Sequence, residues 1–233
     1  MVPLKDRVTI YQSKLINRLF GNIIKRTRDN QSRDKEMKKH VSYDPSDIPR
    51  LIKTLDEKST ARFKAAKELQ IISLSDPAVL YPYFRVFSNL LDSKSGVLLW
   101  NGIIILSHLA KVDSAKGFDA IFDKYYQHLW DGKLVTAANI LGSSGRIARF
   151  RHDLAGRITE ELLKVDIIPL PTAECREVAR GHVLVSLAEY PALWKSNSSV
   201  HDFILRCASS HRPAVKERAA ALLTEYFNER PNA

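Results

Sequence analysis

The sequence has few cysteines and no long apolar run. Two cysteines in 233 residues, Cys175 and Cys207, do not make a disulfide framework, so we expect a reducing, cytoplasmic setting. The best apolar stretch, 97–106, is interrupted by Asn101 and is far shorter than the roughly 20 residues of a transmembrane helix. No apolar block follows the first basic residues, so we expect no secretory signal.

The residue spacings that metal binding or catalysis needs are also missing. The seven histidines include no His-Glu pair and no metal-ligand spacing. The Gly-Ser-Ser-Gly segment at 142–145 lacks the Lys-Ser or Lys-Thr ending of a phosphate loop. We therefore expect no metal, no cofactor and no catalytic residue, and predict a protein that is not an enzyme.

Basic charge is unevenly distributed along the chain. The net charge of +10 includes +7 from residues 1–40, which contain 11 Lys or Arg and 4 Asp or Glu. The remaining residues hold 25 basic and 22 acidic side chains, a net charge of +3. The body of the protein is thus nearly neutral, which argues against a nucleic-acid groove along its whole length.

A six-residue motif recurs five times. It consists of a polar residue, Ala or Gly, three variable residues, and Leu or Val. The small residues lie at 65, 102, 137, 181 and 219, so successive spacings are 37, 35, 44 and 38. A helical sequence with this period is typical of a stacked helix-pair solenoid. The copies begin at Lys64, Asn101, Thr136, Arg180 and Arg218 and end at Leu69, Leu106, Leu141, Val185 and Leu223.

Around each motif the sequence predicts a pair of helices separated by turn residues, and no stretch alternates as a strand would. The fold class is therefore all-α. The predicted pairs are 47–57 and 60–73, 77–92 and 96–111, 114–129 and 132–149, 151–165 and 173–190, and 198–209 and 213–229.

The array resembles the HEAT-repeat class of helical solenoids over roughly 47–229. The segment 214–223 is similar to a typical second helix of that class, and Arg218, Arg180 and Lys64 match its basic position. Asn101 and Thr136 depart from it. The resemblance implies a right-handed α-α solenoid of about five HEAT-like (armadillo-type) helix pairs. It also implies scaffolding and macromolecular binding, with occasional enzymes built on the same stack.

Two groups of polar residues are candidates for a binding surface on the concave face. One is the polar residue of each motif, and the other is a stripe along the second helix of the third pair. Either group could contact a ligand, or the motif residues could form hydrogen bonds between adjacent repeats. The candidates are Lys64, Asn101, Thr136, Asn139, Ser143, Arg146, Arg180 and Arg218.

A basic cluster in the last three pairs supports an alternative function, nucleic-acid binding together with the basic N-terminal arm. The arrangement of Trp130, Asp131 and Arg146 resembles that of HEAT-like DNA glycosylases, although Asp131 is also a candidate N-cap. Interspersed acidic residues also allow a solvated surface of mixed charge. The cluster comprises Arg146, Arg149, Arg151, Arg176, Arg180, Arg212, Lys216 and Arg218.

The N-terminal part, 1–46, is predicted to be separate from the repeat array, 47–233. Apolar residues at spacings of three and four predict an amphipathic helix over 4–24, followed by a polar linker. This helix could cap the first repeat, lie peripherally on an anionic membrane surface, or bind a partner protein. For the whole chain we predict a non-enzymatic, cytoplasmic scaffold that binds another protein on its concave face.

Overall fold

The computed structural model describes residues 43–228, and within that range all regular structure is helical. The described helices belong to one compact unit, residues 42–233. The ten α-helices of the described range are α1 (Ile48–Thr54), α2 (Ala61–Ser75), α3 (Phe84–Asn89), α4 (Gly96–Leu109), α5 (Phe122–Gln127), α6 (Leu134–Phe150), α7 (Ala155–Leu163), α8 (Ala173–Leu187), α9 (Ser198–Ala208) and α10 (Pro213–Phe227).

In chain order these helices correspond to the ten predicted segments, and α2, α4, α6, α8 and α10 correspond to the predicted second helices. The prediction of single long first helices in the second and third pairs was wrong. There, α3 and α5 are short and are flanked by 3-10 turns, including Pro77–Val79 and Tyr81–Tyr83 before α3. Pro77 and Pro82 explain the first case, because proline lacks the N–H that continues an α-helix.

A side-chain cap fixes the start of the 3-10 turn before α1, whereas α6 begins without one. Asp44 accepts a hydrogen bond from the Ser46 N–H at 2.9 Å and caps the 3-10 turn that precedes α1. The predicted N-cap at Asp131 was wrong, because the N-cap of α6 is Lys133. The Asp131 carboxylate instead contacts Nδ1 of His128 at 2.9 Å.

The second helices pack against one another in chain order, α2 on α4, α4 on α6, α6 on α8 and α8 on α10. Leu69, Leu106, Leu141 and Leu223, which end four copies of the repeat motif, are completely buried in this layer. Burial of one such side chain contributes about 1.5–3 kcal/mol. The motif therefore marks the packing core of the protein.

In the fourth pair the buried positions are shifted from those that the motif predicted. Ala179 and Val183 of α8 are completely buried, whereas Val185 is partly exposed. The small residue that faces the core is therefore Ala179, two residues before Gly181. It follows that Arg180 is not structurally equivalent to the other motif residues.

Two glycines permit close helix contacts. A Cβ at Gly102 would lie 2.8 Å from Cβ of Leu90, and one at Gly145 would overlap the backbone carbonyl oxygen of Ser186 in α8. Close packing against α8 therefore accounts for glycine at position 145. This contact offsets the cost of about 1 kcal/mol that glycine carries in a helix interior.

The predicted helix over 4–24 and most of its linker lie outside the described residues. Its three interpretations, as a cap, a membrane-surface helix or a protein-binding segment, stay predictions, and so does the boundary between residues 46 and 47. Among the helices that are described, none is long and apolar enough to cross a membrane.

Candidate interaction surface on the second helices

The polar residues of the repeat motif do not form one exposed row. The side chain of Lys64 is 84% exposed, whereas Asn101 and Thr136 are buried. Arg180 and Arg218 are partly exposed. The polar motif residues therefore do not form a continuous row that a ligand could contact.

The two buried members form hydrogen bonds within the helical layer. Asn101 donates from Nδ2 to the Val97 carbonyl oxygen at 2.8 Å. Thr136 of α6 accepts from the indole N–H of Trp100 in α4 at 3.0 Å. For Thr136, the structure thus supports the interpretation of hydrogen bonding between adjacent repeats.

The other candidates of α6 occupy different environments. Asn139 is partly exposed and donates to the Val135 carbonyl oxygen at 2.9 Å. Ser143 is buried against Tyr125, where burial raises the pKa of the tyrosine. Arg146 is partly exposed and donates to the Ser107 hydroxyl of α4 at 2.9 Å. Ser143 is therefore a core residue, while Asn139 and Arg146 remain accessible.

Buried serines connect successive second helices, a feature that sequence reasoning missed. The Ser73 hydroxyl of α2 lies 2.7 Å from Nδ1 of His108 in α4. Between α6 and α8, the Ser186 hydroxyl accepts from the Gly145 N–H at 2.9 Å and donates to the Leu141 carbonyl oxygen. Buried polar groups need such partners, so these serines fix the register between neighbouring helices.

Arg151, a member of the predicted basic cluster, is buried in an ionic network. Its guanidinium contacts Asp113, Asp119 and Asp153, and the Asp113 side chain is fully buried. The Tyr81 hydroxyl donates to Asp113 at 2.6 Å. Hydrogen bonding to Arg151 lowers the pKa of Asp153 to about 2. The network joins the second, third and fourth pairs.

Several arginines of the last two pairs are likewise engaged within the chain. Arg180 pairs with Asp166 at 2.7 Å and with Glu177 at 2.5 Å. Arg212 pairs with Glu174, and Arg176 donates to three backbone carbonyl oxygens between 165 and 168. These residues do not form a free basic face, because their charges are matched by neighbouring groups.

His182 and Arg218 lie together where α8 meets its neighbours. Nδ1 of His182 would lie 3.0 Å from a Cβ at Gly142 in α6. Burial, together with the charges of Arg218 and Arg212, lowers the pKa of His182 to about 4. Burial also lowers the pKa of Arg218, which lies 3.5 Å from the Gly181 carbonyl oxygen. His182 is therefore uncharged at neutral pH.

A different surface stands out where α4 and α6 face solvent. Val97 and Val135 are exposed, at 42% and 39%, and Trp100 and Ile104 are partly exposed. Neither helix contains an aspartate or glutamate. We define the α4–α6 seam as Val97, Trp100 and Ile104 of α4 together with Val135, Asn139 and Arg146 of α6.

Spacings of three and four residues place the α4 members of the seam on one helix face, and spacings of four and seven residues do so for the α6 members. Sequence analysis found Asn139 and Arg146 but missed the apolar members. Trp100 and Val135 stand two positions before the small residues Gly102 and Ala137. In these two helices the residue two positions before the small motif residue faces solvent. The repeat motif in the sequence could have identified it.

The residues that resemble a glycosylase site are not brought together. Trp130 is 48% exposed, and Asp131 is engaged with His128 before α6 begins. Arg146 lies 12 residues into α6, which at 1.5 Å per residue is about 18 Å from the start of the helix. A shared site for Asp131 and Arg146 is therefore not formed.

Cysteines and possible metal ligands are the remaining chemical groups of residues 43–228. Burial raises the pKa of the Cys207 thiol to about 12, and both cysteines are free. No group of three or more His, Cys, Asp or Glu side chains in this range could hold a metal ion. No family model, curated protein or solved structure matches the chain.

Proposed function

We propose that this chain is a non-enzymatic interaction module, a right-handed HEAT-like solenoid that binds another protein on the concave face of its second helices. The consecutive packing of α2, α4, α6, α8 and α10 supports the solenoid, because repeat arrays stack each unit on its neighbours. The two free cysteines support a cytoplasmic location for this activity.

The α4–α6 seam is the observation that carries the proposal. It combines exposed aliphatic side chains with a partly buried arginine, and protein interfaces are enriched in arginine and in aromatic residues. Trp100 adds a large amphipathic ring whose N–H is already bonded to Thr136. A surface of this kind gains free energy when a partner covers its apolar groups.

The alternative, nucleic-acid binding, receives less support from the described residues. It needs phosphate contacts from arginines that are free to move to the ligand. Arg151, Arg180 and Arg212 are instead paired with carboxylates of this chain. The remaining support for this alternative comes from the basic N-terminal arm, which lies outside the described residues, and from Arg146 and Arg149, which form no ion pair within residues 43–228.

The proposal is tested by affinity purification of the tagged full-length protein from its native cells, with and without nuclease. The seam variant Val97→Asp/Val135→Asp should lose a protein partner that survives nuclease treatment. The matched control is Leu193→Asp/Leu205→Asp, because these residues are exposed to a similar extent, 45% and 40%, outside the seam. The control variant should retain the partner.

Two outcomes would contradict the proposal. One is a partner that both double variants retain, which would place binding away from the seam. The other is recovery of nucleic acid with loss of all proteins after digestion, which would favour the alternative. In that case nucleic-acid recovery should depend steeply on salt, and charge reversal of the four basic residues in the predicted helix over 4–24 should abolish it. These residues are Lys5, Arg7, Lys14 and Arg18.

A further inference from the structure

We propose that the α4–α6 seam recognises an acidic protein segment that carries a bulky apolar side chain about 10 Å from a carboxylate. This inference rests on the proposed function and specifies the chemistry of the partner. It is derived from the charge balance of the seam and from the distance between its apolar and cationic ends.

The charge of the seam is positive and is not compensated locally. Among residues 43–228, the Ser107 hydroxyl is the only hydrogen-bond acceptor of Arg146, and no carboxylate pairs with it. Lys111 and Arg149 are exposed near the carboxyl ends of α4 and α6. A carboxylate that approached Arg146 would therefore meet a cation that no carboxylate of residues 43–228 neutralises and that is already partly desolvated.

The acidic residues nearest in sequence to this end are committed elsewhere. Asp113 and Asp153, which follow α4 and α6, are both bound to Arg151. Asp113 is also held by the Tyr81 hydroxyl and by the Gly117 N–H at 2.7 Å. These carboxylates cannot turn to neutralise Arg146 without breaking a buried network, so the positive charge is left for a partner.

The geometry sets a spacing for that partner. Near the start of α4, Trp100 contacts α6 through its hydrogen bond to Thr136. Seven residues later in α4, Ser107 accepts the hydrogen bond from the Arg146 guanidinium. Seven residues of helix correspond to about 10 Å. An extended segment covers that distance in about three residues, so the apolar residue and the carboxylate should be separated by three positions in an extended partner.

A protein segment fits the seam better than a nucleic acid does. Unpaired bases bind by stacking on aromatic faces, but Val97, Ile104 and Val135 are aliphatic and offer no such face. Trp100 is the single aromatic member, and its ring is held by the hydrogen bond to Thr136. Aliphatic contacts beside one cationic end favour a peptide with mixed apolar and acidic side chains.

The inference is tested by selecting a random 12-residue peptide library, displayed on phage, against the folded full-length protein. Enriched peptides should be acidic and should place a Leu, Phe or Trp three positions from an Asp or Glu. A synthetic peptide of the enriched sequence should bind Arg146→Ala at least about tenfold more weakly than the original protein, because one charge-assisted contact is lost.

Arg206→Ala is the matched control, since Arg206 is an exposed arginine of α9 whose carboxylate contact is Asp166 at 3.4 Å. Its affinity for the peptide should be unchanged. Circular dichroism and thermal melting of each variant establish that it is folded. Enrichment of neutral or basic peptides, or no enrichment at all, would overturn the inference.

The pattern among the variants separates this inference from the proposed function. If Val97→Asp/Val135→Asp abolishes peptide binding while Arg146→Ala does not, the seam binds protein and the acidic specificity is wrong. If neither variant affects peptide binding, the seam is not the binding site and the proposed function is contradicted as well. Displacement of the peptide by a single-stranded oligonucleotide at equal concentration would point to nucleic acid and would also overturn the inference.

Discussion

The α4–α6 seam and the last two helix pairs both contain arginines on second helices, yet the arginines have different partners. In the seam, Arg146 donates to a neutral hydroxyl and lies on a helix without acidic residues. In α8, Arg180 is paired with two carboxylates. A cluster of arginines in the sequence is therefore available to a ligand only where neighbouring carboxylates leave its charge uncompensated.

Part of this difference is visible in the sequences of the two helices. Glu177 stands one turn before Arg180, at the i,i+3 spacing that brings side chains together on a helix. The corresponding position before Arg146 is Ser143, and the residue four positions after it is Phe150. The presence or absence of an acidic residue one turn away therefore distinguishes the two arginines at the level of the sequence.

The largest stability loss is expected at Arg151, the most deeply buried of the arginines that pair with carboxylates. Arg151→Ala should lower the free energy of unfolding by about 3–5 kcal/mol, because it leaves Asp113 buried without its cation. Urea denaturation gives this value. The exposed Arg149→Ala should change stability by less than about 0.5 kcal/mol, and equal losses in the two variants would refute the distinction.

Alanine substitution of Arg180 and of Arg146 directly compares how much each arginine contributes to stability in its region. Arg180→Ala should cost about 2–3 kcal/mol, because it removes charge-assisted hydrogen bonds to Asp166 and Glu177. Arg146→Ala should cost about 1 kcal/mol or less, the value of one hydrogen bond to a neutral group. Chemical denaturation measures both, and a greater loss for Arg146→Ala would mean that its role is structural.

The junction between the two regions, where α6 meets α8, is tested by Gly145→Ala. The added methyl group would overlap the Ser186 carbonyl oxygen and force the helices apart, which should cost about 2 kcal/mol. Gly156→Ala in α7 is the control, since nothing lies within 4 Å of that site. The control should be neutral or stabilise by up to about 1 kcal/mol, measured from thermal or urea unfolding.

The smallest effect concerns pH at the same junction. His182 has a pKa of about 4 in the folded protein against 6.5 in the unfolded chain, so the unfolded state binds more protons between these values. Stability should therefore fall as the pH is lowered from 6.5 towards 4. The urea midpoint of His182→Asn should depend less on pH in this window. An unchanged pH dependence of the midpoint in His182→Asn would contradict the assignment.

The helical architecture could be predicted from sequence because its signals are local. The second helices begin and end within three residues of the predicted positions where both ends are described. Apolar spacing, glycine and proline supply these signals over a few turns. The first helices α3 and α5 were less predictable, since 3-10 turns and α-helices share nearly the same apolar pattern.

The candidate site was only partly predictable, because it depends on contacts between residues far apart in the chain. Thr136 and Ser143 read as a polar stripe with Arg146, but packing against Trp100 and Tyr125 buries them. The partners Asp113 and Arg151 are 38 residues apart, and no periodic pattern connects them. Such pairings depend on how helices that are distant in the chain pack together, which a single sequence does not reveal.

The Arg151 network has a consequence for how the molecule opens. An array in which each pair touches only its neighbours can unravel from either end, one unit at a time. Here Tyr81, Asp113 and Arg151 connect three consecutive pairs through a buried charge. The central pairs should therefore open together and exchange their amide hydrogens last, while the terminal pairs exchange sooner and are the first to be cut by proteases.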